Sequence, residues 1–393
     1  MKKLDVRQME VRGKRVFCRV DFNVPLDGAR VADDTRIQAA LPTIRLLSEQ
    51  GAKVILASHL GRPKGQVKPE MSLKPAAECL AGHLGRPVAF AGDCVGDEAN
   101  SAAHAVEAGG VLLLENLRFH AEETGNDESF AAALAGLGEA YVNDAFGTAH
   151  RAHASTAGVP SRLRPAGAGL LMQSELEHLG ALVSAPEKPF VAVLGGAKVS
   201  DKIELIDNLM PKVDAFVIGG AMAYTFLKSR GIAVGGSLVE GDKLDLAREL
   251  SEKAEAQGKE ILLPVDHVVA VGGNDDDHRP TRGIEIADDE AGMDIGPKTA
   301  EAWAQRLGSS KTVLWNGPVG RFEVEAFSGG SRRLADALAA AGNTSVVGGG
   351  DTAAAVRKFG LTGQMTHVST GGGASLEFLS GTTLPGVAAL DDA

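Results

Sequence analysis

Cysteine is scarce in this chain of 393 residues, with only Cys18, Cys79 and Cys94. No Cys-x-x-Cys spacing links them and any pairing leaves one over, so the sequence supports neither a zinc site nor a disulfide framework. Aromatic residues make up 4%, too few for the core of an antiparallel sandwich or barrel. An excess of positive charge is also missing. The formal net charge of −11 excludes a general nucleic-acid binder, which needs a basic surface, so any basic site must be local. No apolar run is long enough to span a bilayer, and Lys2-Lys3 leads into Leu4-Asp5 rather than into the apolar stretch of a signal peptide. The expectation is a soluble, cytoplasmic protein with neither membrane nor nucleic acid among its partners.

What the chain has in quantity is glycine, 49 residues, including two triplets. Gly348-Gly349-Gly350 closes the run Ser345-Val346-Val347 and leads into Asp351-Thr352. Gly371-Gly372-Gly373 closes Met365 to Thr370 and leads into Ala374-Ser375. Each reads as a strand, a tight turn and a helix start. Glycine lets backbone approach an oxyanion, and the free N–H groups of the helix favour negative charge. Asp351 adds a ligand for a hard cation. The alternative is a pair of helix starts whose glycines serve only packing.

The length exceeds what a single core supports, so two domains are expected. Short apolar runs alternate with amphipathic segments, the pattern of βαβ units. Strand candidates in the first half are 16–20, 53–57, 87–90, 111–114 and 141–142; in the second half they are 190–194, 215–218, 261–263, 312–315, 345–347 and 365–368. Residues 35–50 read as a helix with Thr35 as its cap and Pro42 as a kink or a late start. Residues 166–184 read as a long helix joining two doubly wound lobes. The acidic run 274–277 reads as a solvated loop tip, with a metal site as the alternative.

Ligands of parallel sheets gather at the carboxyl ends of strands. In the first half those positions are basic: Arg19-Val20-Asp21-Phe22-Asn23, His59-Leu60-Gly61-Arg62, Arg118 to His120, and His150 to His153. Arg36 begins the helix after the first strand. Arginine's planar fork suits carboxylate and phosphate. His120, His150 and His153 are also open to a scaffold reading. The second half offers glycine turns instead: Gly195-Gly196 with Lys198 and Lys202, Gly219-Gly220-Ala221, and Asn316-Gly317-Pro318 with Glu323 beyond. Neither a Gly-x-x-x-x-Gly-Lys-[Ser/Thr] loop nor a Gly-x-Gly-x-x-Gly fingerprint is present.

A basic pocket on one lobe and a metal–nucleotide site on the other imply phosphoryl transfer, which needs positioning and charge stabilisation. Among the arginines only Asp21 is an obvious general base, and it could as easily fix a substrate hydroxyl or a turn. A carboxylate acceptor, already ionised, would need none, so acyl-phosphate chemistry suits the set. Two rivals stand beside this reading. One is a non-catalytic two-lobed anion-binding protein, which leaves Lys198, Lys202 and Asp351 idle; the other is a kinase for acetate or carbamate, which needs fewer arginines.

The runs RVDFNVP (Arg19 to Pro25), SHLGRP (Ser58 to Pro63), LLENLRFH (Leu113 to His120), VNDAFGTAHRAH (Val142 to His153), LGGAKVSDKI (Leu194 to Ile203), WNGPVG (Trp315 to Gly320), GGGDTA (Gly348 to Ala353) and STGGGASLEFL (Ser369 to Leu379) closely resemble the phosphoglycerate kinase family, in order and over essentially the whole chain. The resemblance implies an α/β monomer of two Rossmann-like, doubly wound parallel-sheet domains joined by a long helix and a hinge. It implies an acceptor domain at 1–165, a linking helix at 166–185, a nucleotide domain at 186–373, and a segment 374–393 returning to the first domain.

By the same resemblance the substrates are 3-phosphoglycerate and ATP, with Mg²⁺ held by Asp351. Asp21, Phe22, Asn23, His59, Leu60, Gly61, Arg62, Arg118 and Arg151 are implied to bind the acceptor, with Arg36 over the transferring group. Lys198 is implied to follow the phosphoryl group. Lys202, Asn316, Glu323, Gly349, Gly350, Asp351 and Thr352 are implied to hold the nucleotide, and the N–H groups of Gly371, Gly372 and Gly373 to meet transition-state charge. The chain departs from the family pattern at Ala221, where glycine is common, and at Arg321, where a small apolar residue is usual. His267 and the acidic residues after it are also particular to it.

Overall fold

A computed structural model describes residues 2–393 and divides them into two compact units: the chain up to 177 together with 383–393, and 178–382. Each unit holds one six-stranded parallel sheet. In the first the spatial order is Ala89–Ala91, Val111–Leu114, Lys53–Ala57, Arg15–Arg19, Ala140–Asn143, Ala166–Ala168. In the second it is Glu260–Leu262, Ala215–Ile218, Phe190–Leu194, Thr312–Asn316, Thr344–Gly348, His367–Val368.

Both sheets are wound from the middle outwards. Strand Arg15–Arg19 lies between Lys53–Ala57 and Ala140–Asn143, and Phe190–Leu194 lies between Ala215–Ile218 and Thr312–Asn316. The strand order therefore reverses beside each unit's first strand. Loops diverge there and leave a crevice at the carboxyl ends. The central strands bury both faces, which explains their unbroken Val, Ile, Leu and Phe runs.

Several expected boundaries move. The helix at 35 starts at Thr35, but its flanking residue is Asp34, and Thr35 donates its N–H to Asp33 Oδ1 at 2.9 Å instead of capping. Pro42 sits inside the helix Thr35–Glu49. The strand expected at 87–90 is Ala89–Ala91. Residues 166–168 form an edge strand, and the long helix spans Leu170–Ser184. Its start is set from a distance: the Asp144 carboxylate accepts the N–H groups of Leu171 (2.9 Å) and Met172 (3.2 Å).

The acidic run is not a loop tip. Asn274–Pro280 is an exposed strand at the edge of a three-stranded antiparallel sheet with His267–Val271 and Glu290–Ile295. Charge suits such an edge because it discourages pairing with another chain.

The return to the first unit begins at 383 rather than 374. Gly373–Leu379 stays with the second unit, where Asn208 Nδ2 donates to Leu379 O at 2.5 Å. The last residues are tied to the first unit by Gly386 N–H to Ala149 O (2.8 Å), Asn143 Nδ2 to Gly386 O (3.2 Å) and Lys3 Nζ to Leu390 O (3.0 Å).

Candidate functional site

In the first unit the basic residues converge at the carboxyl ends of its strands. Arg62, Lys64, Gly65, Arg118, Ala121, Thr124 and Arg151 line a cavity of about 510 Å³, and no carboxylate is among them. Arg118 is carried on the turn Leu117–Phe119, whose N-cap Asn116 accepts Leu60 N–H and Arg118 N–H through Oδ1, both at 3.1 Å. The Asn116 amide nitrogen donates to Leu60 O (2.7 Å) and Met71 O (2.9 Å). Glu115 accepts from Ser72 Oγ, Leu73 N and Asn116 N within 2.8 Å. These two residues hold the arginine turn rather than line the cavity.

Arg118 is 7% exposed, donates from Nη1 to Gly61 O at 2.8 Å, and leaves its buried Nε without a partner. Burial first, then the neighbouring Arg19 and Arg151, push its pKa down to about 10. It stays charged at neutral pH, with Glu123 and Asp21 near enough to favour its charge but outside the cavity lining. Such a cationic wall suits an anion.

Beside it, Arg36 Nη1 donates to both Asp21 oxygens (3.2 Å each) and to Asn23 O (3.1 Å), while Asn23 Oδ1 accepts Gly61 N–H at 2.9 Å. Asp21 is thus engaged as an arginine partner. His59 accepts a bond at Nδ1 from the buried Arg19 guanidinium (3.2 Å), which leaves the proton on Nε2. Burial, and then Arg19, Arg118 and Arg36, hold its pKa well below the usual histidine range, so it is a neutral donor. Phe22 and Leu60 turn their side chains into the core, leaving only their backbone available.

The second unit presents interlocked backbone. Gly195 N–H donates to Asn316 O (3.0 Å), Gly196 N–H to Pro318 O (3.1 Å) and Gly220 N–H to Val319 O (3.0 Å). A Cβ on Gly195 would lie 2.1 Å from Pro318 O, and one on Gly317 2.2 Å from Gly195 O, so both positions require glycine. Lys202 donates from Nζ to Asn316 Oδ1, and Gly317 N–H donates to Thr352 Oγ1 at 2.7 Å. Lys202, Asn316, Gly317 and Thr352 therefore form one cluster. Burial lowers the Lys202 pKa, and the nearby Asp201 and Asp351 oppose that.

Gly349, at φ +88°, turns the chain into the helix Gly350–Lys358. The N–H groups of Gly350, Asp351 and Thr352 find no acceptor among the described residues, and the exposed Asp351 carboxylate has no partner there. A row of free N–H groups beside a free hard-oxygen ligand fits a metal-chelated phosphate. Lys198 and Glu323 are exposed at the ends of neighbouring loops. In the second glycine triplet, Gly371 N–H is already given to Ser369 Oγ (3.1 Å), so only Gly372 and Gly373 keep theirs for a ligand.

The departures find places. Ala221 has φ −66°, an ordinary helical value that does not need glycine. Arg321 pairs with Asp275 at 2.9 Å, so the unusual arginine and the unusual acidic strand answer each other. His267 is fully buried, bonded to Ile284 O (3.0 Å) and set against Tyr224, a scaffold role. His120, bonded to Asp93 (2.7 Å) and packed on Phe130, is scaffold too.

Sequence reasoning missed Lys64, which reaches the cavity through a left-handed backbone (φ +62°), and the buried support beneath it. There Arg19 Nε donates to Ser155 Oγ (2.9 Å), and Ser155 Oγ donates to Glu123 Oε1 (2.6 Å). The left-handed Lys64 had one signal, its place before Gly65 in a turn.

Two doubly wound α/β units, one with a cationic cavity and one with a glycine-turn phosphate cradle, define a two-lobed phosphotransferase. The family model described as phosphoglycerate kinase matches residues 6–382. Among curated relatives, the phosphoglycerate kinase of Moorella thermoacetica is 56% identical over 393 residues with both chains fully covered, and that of Koribacter versatilis is 54% identical with 99% of each covered. The solved phosphoglycerate kinase structure from Coxiella burnetii aligns with a TM-score of 0.90 at 44% identity, and that from Pyrococcus horikoshii with 0.86 at 33%, each covering 98% of both chains. The chain belongs to the phosphoglycerate kinase family.

Proposed function

We propose that this chain transfers a phosphoryl group reversibly between ATP and the carboxylate of 3-phosphoglycerate, giving ADP and 1,3-bisphosphoglycerate, in glycolysis and gluconeogenesis. The observation that carries the reading is the cavity of Arg62, Lys64, Arg118 and Arg151 with no carboxylate in its lining. It suits an acceptor with a distal phosphate, which acetate and carbamate lack.

The roles follow from the chemistry of each group. Arg62, Arg118 and Arg151 grip the phosphate end, and neutral His59 donates from Nε2 to an acceptor oxygen. Asp21 and Asn23 orient the glycerate hydroxyl and carboxylate, with Phe22, Leu60 and Gly61 contributing backbone. Asp21 is already bound by Arg36, so no free general base stands here, and an ionised carboxylate needs none. Arg36 balances charge on the transferring group.

In the second unit the N–H groups of Gly350, Asp351 and Thr352, with Gly349, cradle nucleotide phosphates beside Lys202. Asn316 positions Lys202, Glu323 takes the ribose, and Lys198 follows the phosphoryl group. Gly372 and Gly373 supply N–H groups for transition-state charge; Gly371 shapes their turn. Asp351 would hold Mg²⁺, which when bound neutralises phosphate charge. Three free cysteines fit a reducing cytoplasm, and among the described residues the exposed large apolar side chains are limited to Val67, Leu238 and Val265, which fits a monomer.

A coupled assay tests the reading. ATP consumption should require both 3-phosphoglycerate and Mg²⁺ and should not occur with acetate. Turnover with acetate, or none with 3-phosphoglycerate, would overturn it.

A further inference from the structure

Three potential ligands meet on the first unit away from the anion cavity. Asp34, Cys79 and His83 bring a carboxylate oxygen, a thiol sulfur and a ring nitrogen within 4.8 Å of one another, each residue partly exposed. Cys79 and His83 stand four apart on the helix Lys74–Leu84, so they share one face. Asp34 comes from another segment, immediately before the helix Thr35–Glu49.

Two features make this more than proximity. Asp34 occupies an N-cap position yet its side chain caps nothing; it turns to His83 Nε2 at 2.6 Å. Its other oxygen accepts from Gln38 Nε2 at 2.8 Å, so the carboxylate is oriented from outside the triad, and Arg45 Nη2 donates to the backbone oxygen of His83 at 2.9 Å, which pins the helix end that carries the ring. A ligand oriented by an outer hydrogen bond is what a metal site needs.

We propose that Asp34, Cys79 and His83 form a three-ligand site for a borderline-soft divalent cation such as Zn²⁺, with water in the fourth position. Zinc takes this donor mixture at about 2.0–2.3 Å in a tetrahedron. His83 Nε2 and Asp34 Oδ2 then need to part to roughly 3.3 Å, while Cys79 closes in by a side-chain rotation. Binding converts the Cys79 thiol to a metal-bound thiolate, its proton leaving to solvent, and in the bound state His83 ligates through Nε2 as the neutral ring with its proton on Nδ1. Cysteine-to-cysteine spacing gives no sign of the site, whereas Cys-x-x-x-His on a helix does.

A second triad, Asp93, Cys94 and His120, is a poorer candidate. Cys94 is fully buried, and Asp93 Oδ1 is already shared by Cys94 N–H (2.6 Å) and His120 Nε2 (2.7 Å).

Cobalt titration of the full chain, reduced and free of phosphate and nucleotide, reads the site directly. One equivalent of Co²⁺ should give thiolate-to-cobalt charge-transfer absorption with tetrahedral d–d bands, bleached by one equivalent of Zn²⁺. Cys94→Ser should behave as the parent. Cys79→Ser should lose the charge-transfer band, and His83→Asn should weaken Zn²⁺ binding by more than the roughly 10- to 100-fold typical of losing an outer-layer partner. Circular dichroism establishes that each variant is folded, and His83→Asn decides the matter if Cys79→Ser is not. No charge-transfer band in the parent, its persistence in Cys79→Ser, or its loss in Cys94→Ser would overturn the proposal, as would unchanged Zn²⁺ affinity in His83→Asn.

Discussion

Replacing Arg118 with methionine, which keeps a long stem but removes the charge, separates a binding role from a structural one. A fall of the guanidinium pKa to about 10 disfavours its charge by about 3 kcal/mol, which solvent at the cavity mouth cuts to about 1–2 kcal/mol. Removing the charge relieves that cost. The lost bond from the charged guanidinium to Gly61 O costs about 1.5–3 kcal/mol in return. The ligand-free variant should therefore unfold within about 2 kcal/mol of the parent. Affinity for 3-phosphoglycerate should fall much further, because a hydrogen bond to a charged group contributes about 1.5–3 kcal/mol, or roughly 10- to 100-fold.

The assay is urea unfolding with and without 3-phosphoglycerate. Trp303 and Trp315 both lie in the second unit, so their fluorescence does not read the first, and amide hydrogen exchange of the first sheet is the appropriate probe. At 100 times the parent's dissociation constant the ligand adds about 2.7 kcal/mol of stability to the parent, and at that concentration about 0.4–1.4 kcal/mol to the variant. A variant that loses more than about 2 kcal/mol without ligand, yet keeps the full ligand-induced gain, would refute the cavity as the acceptor site.

Arg36→Ala should cut kcat by roughly 10³- to 10⁵-fold, the scale of an arginine acting on the transition state, with ADP affinity by calorimetry little changed; equal losses in both would contradict its role. Lys202→Ala should weaken ADP by roughly 10- to 100-fold, and it also leaves Asn316 Oδ1 without its donor. Unchanged calorimetric affinity would count against it. Burial raises the Asp294 pKa to about 7, against donation from Gly330 and Ile295 N–H. A carboxyl that binds protons more tightly when folded makes stability fall as pH rises from about 4 to 7, so Asp294→Asn should flatten that part of the second unit's profile, read by tryptophan fluorescence. Arg321→Ala, which removes one exposed pair with Asp275, should cost under about 1 kcal/mol and leave nucleotide affinity alone.

Much of this architecture is legible in the chain because its signals are local. Strand runs such as Phe190–Leu194 and Thr312–Asn316 announce themselves through unbroken apolar residues, and the turns after them through glycine. The basic strand ends are also contiguous in sequence. What stays hidden is made by residues far apart. Asp144 starts the helix at Leu170, Glu123 reaches Ser155 and through it Arg19, and Asp275 answers Arg321 across 46 positions. No local pattern distinguishes Asp34, which caps nothing and faces His83, from an ordinary N-cap aspartate. The same holds for Gly371, whose N–H is consumed by Ser369 although its neighbours keep theirs.

The two units carry opposite kinds of incompleteness, and that asymmetry is the strongest physical argument for transfer. In the first, like charges are crowded: Arg19, Arg36 and Arg118 all depress His59, and Arg118 keeps a buried donor with no acceptor. A multiply charged acceptor would supply what is missing and relieve the repulsion between these cations. In the second, backbone N–H groups stand open beside the Asp351 carboxylate, which has no hydrogen-bond or ion-pair partner among the described residues. Phosphate alone would satisfy the N–H groups but repel the carboxylate; a phosphate carrying a hard cation satisfies both. A protein that only captured anions would gain nothing from Asp351. The carboxylate makes sense where the phosphate arrives as a metal chelate, which is how a nucleotide donor reaches a kinase.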